Sequence, residues 1–255
     1  MTHIYNVNPS LIPRPIACGT YEALPDAHFF LCEFRHITNE LPSIEAFLEQ
    51  ITELHRNSAS PNGCFGFDVA TCHGNIPIDH GWSATWEEYF TRSTRALFDL
   101  EQQVHGPSEE LVRLSKSFFD KVIPRLLRPL ETGGRSIKAC LIHGDLWHGN
   151  ASMDGDSQKP IIFDAASFYA HNEYELGVWR QPWNNINASY RDSYYRYFPK
   201  SQPEEDYDDR NALYATRVNI LDSILYRGKD NSYRQMLIDS MSELVGKFPR
   251  GYEGQ

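Results

Sequence analysis

Three polar side chains define the chemistry this sequence offers. Asp145 and Asn150 stand five residues apart in the run Leu141-Ile142-His143-Gly144-Asp145-Leu146-Trp147-His148-Gly149-Asn150, and Asp164 closes Ile161-Ile162-Phe163-Asp164 fourteen residues after Asn150. Phosphoryl transfer from a nucleotide needs little covalent help but much positioning. An Asp accepts or orients the proton of the acceptor hydroxyl, while an Asn and an Asp hold the magnesium ions that bridge the phosphates. Asp145 fits the first role and Asn150 and Asp164 the second, so ATP and Mg2+ are the cofactors this chemistry calls for. A lone Asp after a strand is commonly a turn or cap residue; it is the three together that are specific.

The elements around them must bring the three to one rim. Two apolar runs each end in a polar cluster, the pattern of buried strands that deliver side chains to an edge where loops begin. The turn residues Asp154-Gly155-Asp156 close a hairpin that returns Asp164 beside Asp145 and Asn150. His143 and His148 bracket Asp145, so a zinc site has to be weighed. It lacks an identifiable third or fourth ligand. In the phosphotransfer reading His143 is structural and fixes the loop by hydrogen bonds. Trp147 offers a flat apolar face to a sugar ring or an amine, or else simply packs.

Composition bounds the rest. With 255 residues, 41% of them hydrophobic and 13% aromatic, the chain can bury a sizeable core as one large domain or two lobes. A net charge of -10 with scattered Lys and Arg argues against a nucleic-acid partner. No apolar stretch approaches the roughly 20 residues of a membrane span, and MTHIYNVNPS lacks the apolar run of a signal peptide. A cytoplasmic location without membrane association is therefore expected. The five cysteines form no C-x-x-C pair and read as free thiols.

Further along, Ile16 to Glu22 and His28 to Phe34 read as two strands, with Leu24-Pro25-Asp26 turning between them. Ser43 caps a helix to about Arg56, Thr85 with Glu88 opens one to about Val104, and Ser108 starts another that ends near Pro124. Residues 58 to 82, rich in Gly, Asn, Pro and Cys, read as a long irregular stretch in which Phe65-Gly66-Phe67 and Asn75 line the acceptor pocket or pack on the surface. The acidic run Glu204 to Asp209 starts a solvated helix, and two helices close the chain.

The strings HGDLWHGN and IFDAASFYAHNEYELG resemble the fructosamine kinase family, which includes the protein-ribulosamine 3-kinases and is related to the aminoglycoside phosphotransferases. The likeness extends from LIPRPIACGTYE to EEDYDDRNALYATRVN. It implies an α+β, protein-kinase-like fold, with residues 1–37 a truncated small β lobe and hinge and residues 38–255 a mainly helical catalytic lobe. It also implies ATP-dependent phosphorylation of the 3-hydroxyl of ketosamines, on a glycated protein or a small molecule. Free amino alcohols or aminoglycosides, or a non-catalytic binding role, are the alternatives.

By position Asp145 matches the catalytic base, and Asn150 and Asp164 match the metal ligands. Glu33, Phe34 and Arg35 occupy the hinge that reads adenine. Trp147 and His148 face the acceptor, although His148 departs from the small residue usual in the family. Glu173 and Glu175 are placed to meet a cationic amine, with an exposed helix carboxylate the plainer reading of Glu175. No Lys precedes Lys116, and Met1 to Ile12 contain no Gly, so the glycine-rich loop and strand Lys that cover the phosphates are not found. That pattern implies either a chain cut short at its start or a relative with little activity.

Overall fold

The computed structural model describes residues 1–228 and 232–254. Its first helix, α1 (Thr2–Val7), buries Ile4, and Leu11 and Ile12 follow into the same core. Ile162 N donates to the Leu11 carbonyl (2.9 Å), and His3 Nδ1 lies 3.2 Å from the Tyr169 hydroxyl. The opening residues are thus part of the helical body. Three apolar side chains in the first twelve residues are thereby removed from water.

What stands apart is a hairpin. β1 (Pro15–Tyr21) and β2 (Leu24–Cys32) pair antiparallel, with Tyr21 opposite Leu24. The turn is therefore Glu22-Ala23, tighter than the Leu24-Pro25-Asp26 turn read from the sequence, and the second strand starts four residues early. A two-residue connection matches the twist of paired strands.

The helices begin where their caps predict. Ser43 accepts a hydrogen bond from Ala46 N at the start of α2 (Ile44–Asn57), whose Phe47, Leu48, Ile51 and Leu54 are buried. Residues 58 to 82 are not irregular throughout. They form β3 (Phe65–Gly66), β4 (Thr71–His73), β5 (Ile76–Ile78) and β6 (Trp82–Ser83), of which β4 and β5 make a tight hairpin. Thr85 caps α3 (Trp86–His105), and Ser108 caps α4 (Glu109–Ser117). Beyond α4 the chain stays helical through a π turn at Phe118–Val122 into α5 (Ile123–Leu127). Pro124 does not end the run, because it falls in the first turn of α5, where its missing N–H is no loss.

Four short strands follow: β7 (Cys140–Ile142), β8 (Ala151–Met153), β9 (Pro160–Ile162) and β10 (Phe168–Ala170). β8 and β9 form the expected hairpin around Asp154-Gly155-Asp156, while β7 and β10 join β3 and β6 in a sheet of order β6-β3-β10-β7. The chain closes with α6 (Ala188–Tyr194), α7 (Tyr207–Leu225) and α8 (Ser232–Lys247). α7 is buried on every side, its Arg210 and Arg217 included. At its start Asp206 is buried rather than solvated, held by Arg125 at 2.5 and 3.0 Å. Among the described residues no helix is long and apolar enough to cross a membrane. The architecture is α+β, small antiparallel sheets set into a mainly helical body.

Candidate active site

The site is built where β7 ends. Cys140, Leu141 and Ile142 are buried, and the chain then turns sharply at Gly144. Its φ of +85° is left-handed, and a Cβ there would overlap the Ala166 carbonyl oxygen, so only glycine fits. Glu175 lies beneath this turn and fastens it: Oε2 accepts from His143 N (2.5 Å) and Oε1 from Gly144 N (3.0 Å). A buried carboxylate holding two backbone N–H groups fixes the loop far better than a neutral partner does. The exposed-helix reading of Glu175 is thus overturned, since burial here is compensated by those two bonds.

His143 completes the brace. Its Nε2 lies 2.9 Å from the Phe163 carbonyl, and Asp145 N donates to Nδ1 (3.3 Å), so the ring links the loop of Asp145 to the strand end before Asp164. Burial holds its pKa below the ordinary value, as befits a neutral ring with one donating and one accepting nitrogen. Both of its nitrogens are engaged, which leaves the H-x-D-x-x-H pattern no ligand at position 143.

Asp145, Asn150 and Asp164 line one cavity of about 420 Å³. Asn150 Nδ2 donates to the Asp145 carbonyl (2.8 Å) and to Asp145 Oδ2 (3.3 Å). Asp164 sits at φ +58°, a left-handed conformation that costs a non-glycine residue energy and is typical of functional turns. Burial, then the charges of Asp164 and Glu175, push the Asp145 carboxyl up to about 7, with the Asn150 hydrogen bond pulling the other way. A carboxyl tuned there is suited to take a proton at neutral pH.

The cavity also holds residues that sequence reading did not find. His73 Nε2, at the end of β4, lies 3.4 Å from Asp145 Oδ1. Burial, with Arg217 and His143 nearby, lowers its pKa to about 4, so it meets Asp145 as a neutral ring. Asp222, Trp183 and Tyr233 line the cavity as well. The one available signal for His73 was the long segment 58–82, singled out as pocket-lining. Of the residues weighed there for the acceptor pocket, Phe65 is core, Gly66 is in the sheet, and Asn75 borders a different hollow, so these pack instead.

Trp147 and His148 lie on the cavity wall, and His148 N donates to Asn184 Oδ1 (3.1 Å). Glu173 does not reach the cavity. It is buried in an ion pair with Arg210 (2.9 Å) and accepts from Ser201 N (2.8 Å), so it has nothing to offer an amine. Glu33, Phe34 and Arg35 also stay outside it. Phe34 is 79% exposed, and Arg35 pairs with Glu33 (3.1 Å) and Asp154 (2.8 Å). They lead into a second hollow of about 310 Å³ whose lining includes Ile37, Leu41 and Phe163, and which shares His148 with the first.

The donor set suits a hard cation. Asn150 spends its Nδ2 on Asp145, and among the described residues neither its Oδ1 nor Asp164 has a hydrogen-bond partner. Oxygen donors of this kind bind Mg2+, which keeps part of its shell for water and phosphate. Among the described residues there is no group of three or more His, Cys, Asp or Glu that could hold a metal ion. No Lys or Arg is among the described residues lining the cavity.

The fructosamine kinase family model matches residues 1–243. The chain is 38% identical to the ketosamine-3-kinase of Mus musculus over 138 residues, covering 54% of this chain and 41% of that protein. To the chloroplastic protein-ribulosamine 3-kinase of Oryza sativa subsp. indica it is 31% identical over 217 residues, covering 83% and 58%. It therefore spans about half the length of these curated relatives. Among solved structures, a provisionally assigned fructosamine-3-kinase from Thermobifida fusca superposes with a TM-score of 0.74 at 20% identity, covering 96% of this chain and 77% of the other. An aminoglycoside phosphotransferase superposes at 0.60 with 16% identity, covering 94% and 81%. The fold is thus kinase-like, and the chain belongs to the fructosamine kinase family.

Proposed function

We propose that this chain carries the catalytic lobe of a kinase that moves the γ-phosphoryl group of ATP to the 3-hydroxyl of a protein-bound ketosamine. The observation that carries the reading is the meeting of Asp145, Asn150 and Asp164 in one cavity, with the Asp145 carboxyl pushed up to about 7. In this reading Asp145 orients the acceptor hydroxyl and takes its proton, held in register by Asn150 and His73. Asn150 Oδ1 and Asp164 hold Mg2+, which when bound offsets phosphate charge. The Trp147 face receives the sugar, and His148 stands where the two hollows meet.

Glu33, Phe34 and Arg35 lead the chain into the smaller hollow, where Ile37, Leu41 and Phe163 offer apolar faces to a purine base. Relatives named for ketosamine and ribulosamine favour that acceptor over an aminoglycoside. Five free cysteines suit a reducing compartment such as the cytoplasm.

Incubation with ATP, Mg2+ and a ribosylated or fructosylated lysine peptide tests the reading by mass spectrometry. A phosphate gain that vanishes in Asp145→Ala supports it; no gain with the wild type, or an equal gain with Asp145→Ala, overturns it.

A further inference from the structure

The cavity is lined by two unlike kinds of side chain. Asp145, Asn150 and Asp164 supply one kind; Trp147, Trp183, Tyr226 and Tyr233 supply the other, and Asp222 lines the cavity with them. Trp147 and Trp183 meet edge to face, centroids 6.0 Å apart at 77°, and Tyr226 stacks on Tyr233 at 5.0 Å and 27°. Asp222 comes from the last turn of α7 and is 4% exposed.

Asp222 is unusual for its helix. The other buried ions of α7 are satisfied, Arg210 by Glu173 and Arg217 by Tyr174 and Ser93. Among the described residues Asp222 Oδ2 has no hydrogen-bond partner, and neither has the buried Trp183 Nε1. Burial pushes this carboxyl up to about 7, the indole draws it back, and the charge of Asp145 raises it again. A buried carboxylate left unpaired is costly unless something else supplies the partner. Aromatic faces around a carboxylate form a setting that favours an organic ammonium over an anion or a neutral group.

We propose that Asp222, together with Trp183 and Trp147, forms the subsite that takes the protonated amine nitrogen of the acceptor and so presents its hydroxyl to Asp145. This deepens the kinase reading and rests on it. In a ketosamine the nitrogen and the 3-hydroxyl oxygen are four bonds apart, roughly 5 Å when extended. Both fit within the one cavity that Asp222 and Asp145 line together. Asp222 is then a positioning residue that selects amine-bearing sugars over neutral ones.

Two acceptors test this: a fructosyl-lysine peptide, and the same peptide with an ether oxygen replacing the amine nitrogen. Binding is followed by ligand-observed NMR without nucleotide, and turnover with ATP and Mg2+. The wild type is expected to prefer the amine by on the order of 30-fold, and Asp222→Asn to bring the two acceptors within about threefold. Asp222→Glu should restore the preference. Asp222→Ser serves as a second neutral variant, with thermal melting as the check on folding.

An amine preference that survives in Asp222→Asn, or a loss that is equal for both acceptors, overturns the subsite. If neither acceptor is phosphorylated by the wild type the kinase reading fails, while the NMR preference still decides the subsite. If neither acceptor binds, both fall.

Discussion

The β1–β2 hairpin and the floor made by β7 to β10 are both built from short antiparallel strands, yet they are held in opposite ways. In the hairpin Ile16, Phe30 and Leu31 are about half exposed, at 53, 50 and 51%, and among the described strands the two pair only with each other. On the floor Leu141, Ile142 and Ile162 are fully buried, and Glu175 and His143 tie the loops that leave the strands. A two-stranded ribbon is marginal on its own. Burial and charge-assisted hydrogen bonds are concentrated instead where Asp145, Asn150 and Asp164 must hold their positions.

Substitutions can break or sharpen this contrast. The largest effect belongs to Asp145→Ala, expected to lower kcat by about 10³-fold or more in the phosphotransfer assay while leaving the melting temperature no lower. Next, Glu175→Ala strands two buried backbone N–H groups and should cost about 3 kcal/mol in urea unfolding, with activity falling alongside.

Asp222→Asn comes third, and its effect depends on pH. The folded-state pKa of Asp222 is raised to about 7 from an ordinary 3.8, so between those values the folded chain binds more protons than the unfolded one. Stability therefore falls as pH rises through that window, and the neutral variant escapes the loss. It should be more stable than the wild type by about 1–3 kcal/mol at pH 8 and nearly equal to it at pH 4. Thermal melting at the two pH values checks this.

His73→Ala is expected to lower kcat about tenfold with KM little changed, because it loosens the orientation of Asp145 rather than removing a binding contact. At the small end, Phe30→Ser in the hairpin should shift stability by less than about 0.5 kcal/mol. Hydrogen exchange should show residues 15–32 opening well before residues 140–143. A hairpin as protected as the floor would erase the contrast.

Much of the fold was legible because its signals are local. Ser43, Thr85 and Ser108 cap helices where their side chains sit before apolar periodicity, and Asp154-Gly155-Asp156 closes a hairpin by turn chemistry alone. That Asp145, Asn150 and Asp164 share one cavity was legible from their spacing within a short span. Other features depend on distant partners. Glu173 reads as a carboxylate for a cationic amine until Arg210, thirty-seven residues on, pairs with it in the core. Glu175 reaches back to His143 and Gly144 across the fold.

Asp222 lies on a helix buried on every side, so periodicity gives it no face. The strands that carry or frame His73 are only two or three residues long, too short for alternation to register. The opening residues could not be placed without knowing that α2 and β9 offer them a core.

Convergence of Asp145, Asn150 and Asp164 is tested most directly by titrating the ¹³C-labelled Asp145 carboxyl with and without Mg2+. Burial and the charges of Asp164 and Glu175 place its midpoint near 7 in the absence of cations. Added Mg2+ should lower that midpoint, whereas in Asp164→Asn it should start lower and not respond. A wild-type midpoint that Mg2+ leaves unmoved would contradict a shared cation site at these three residues.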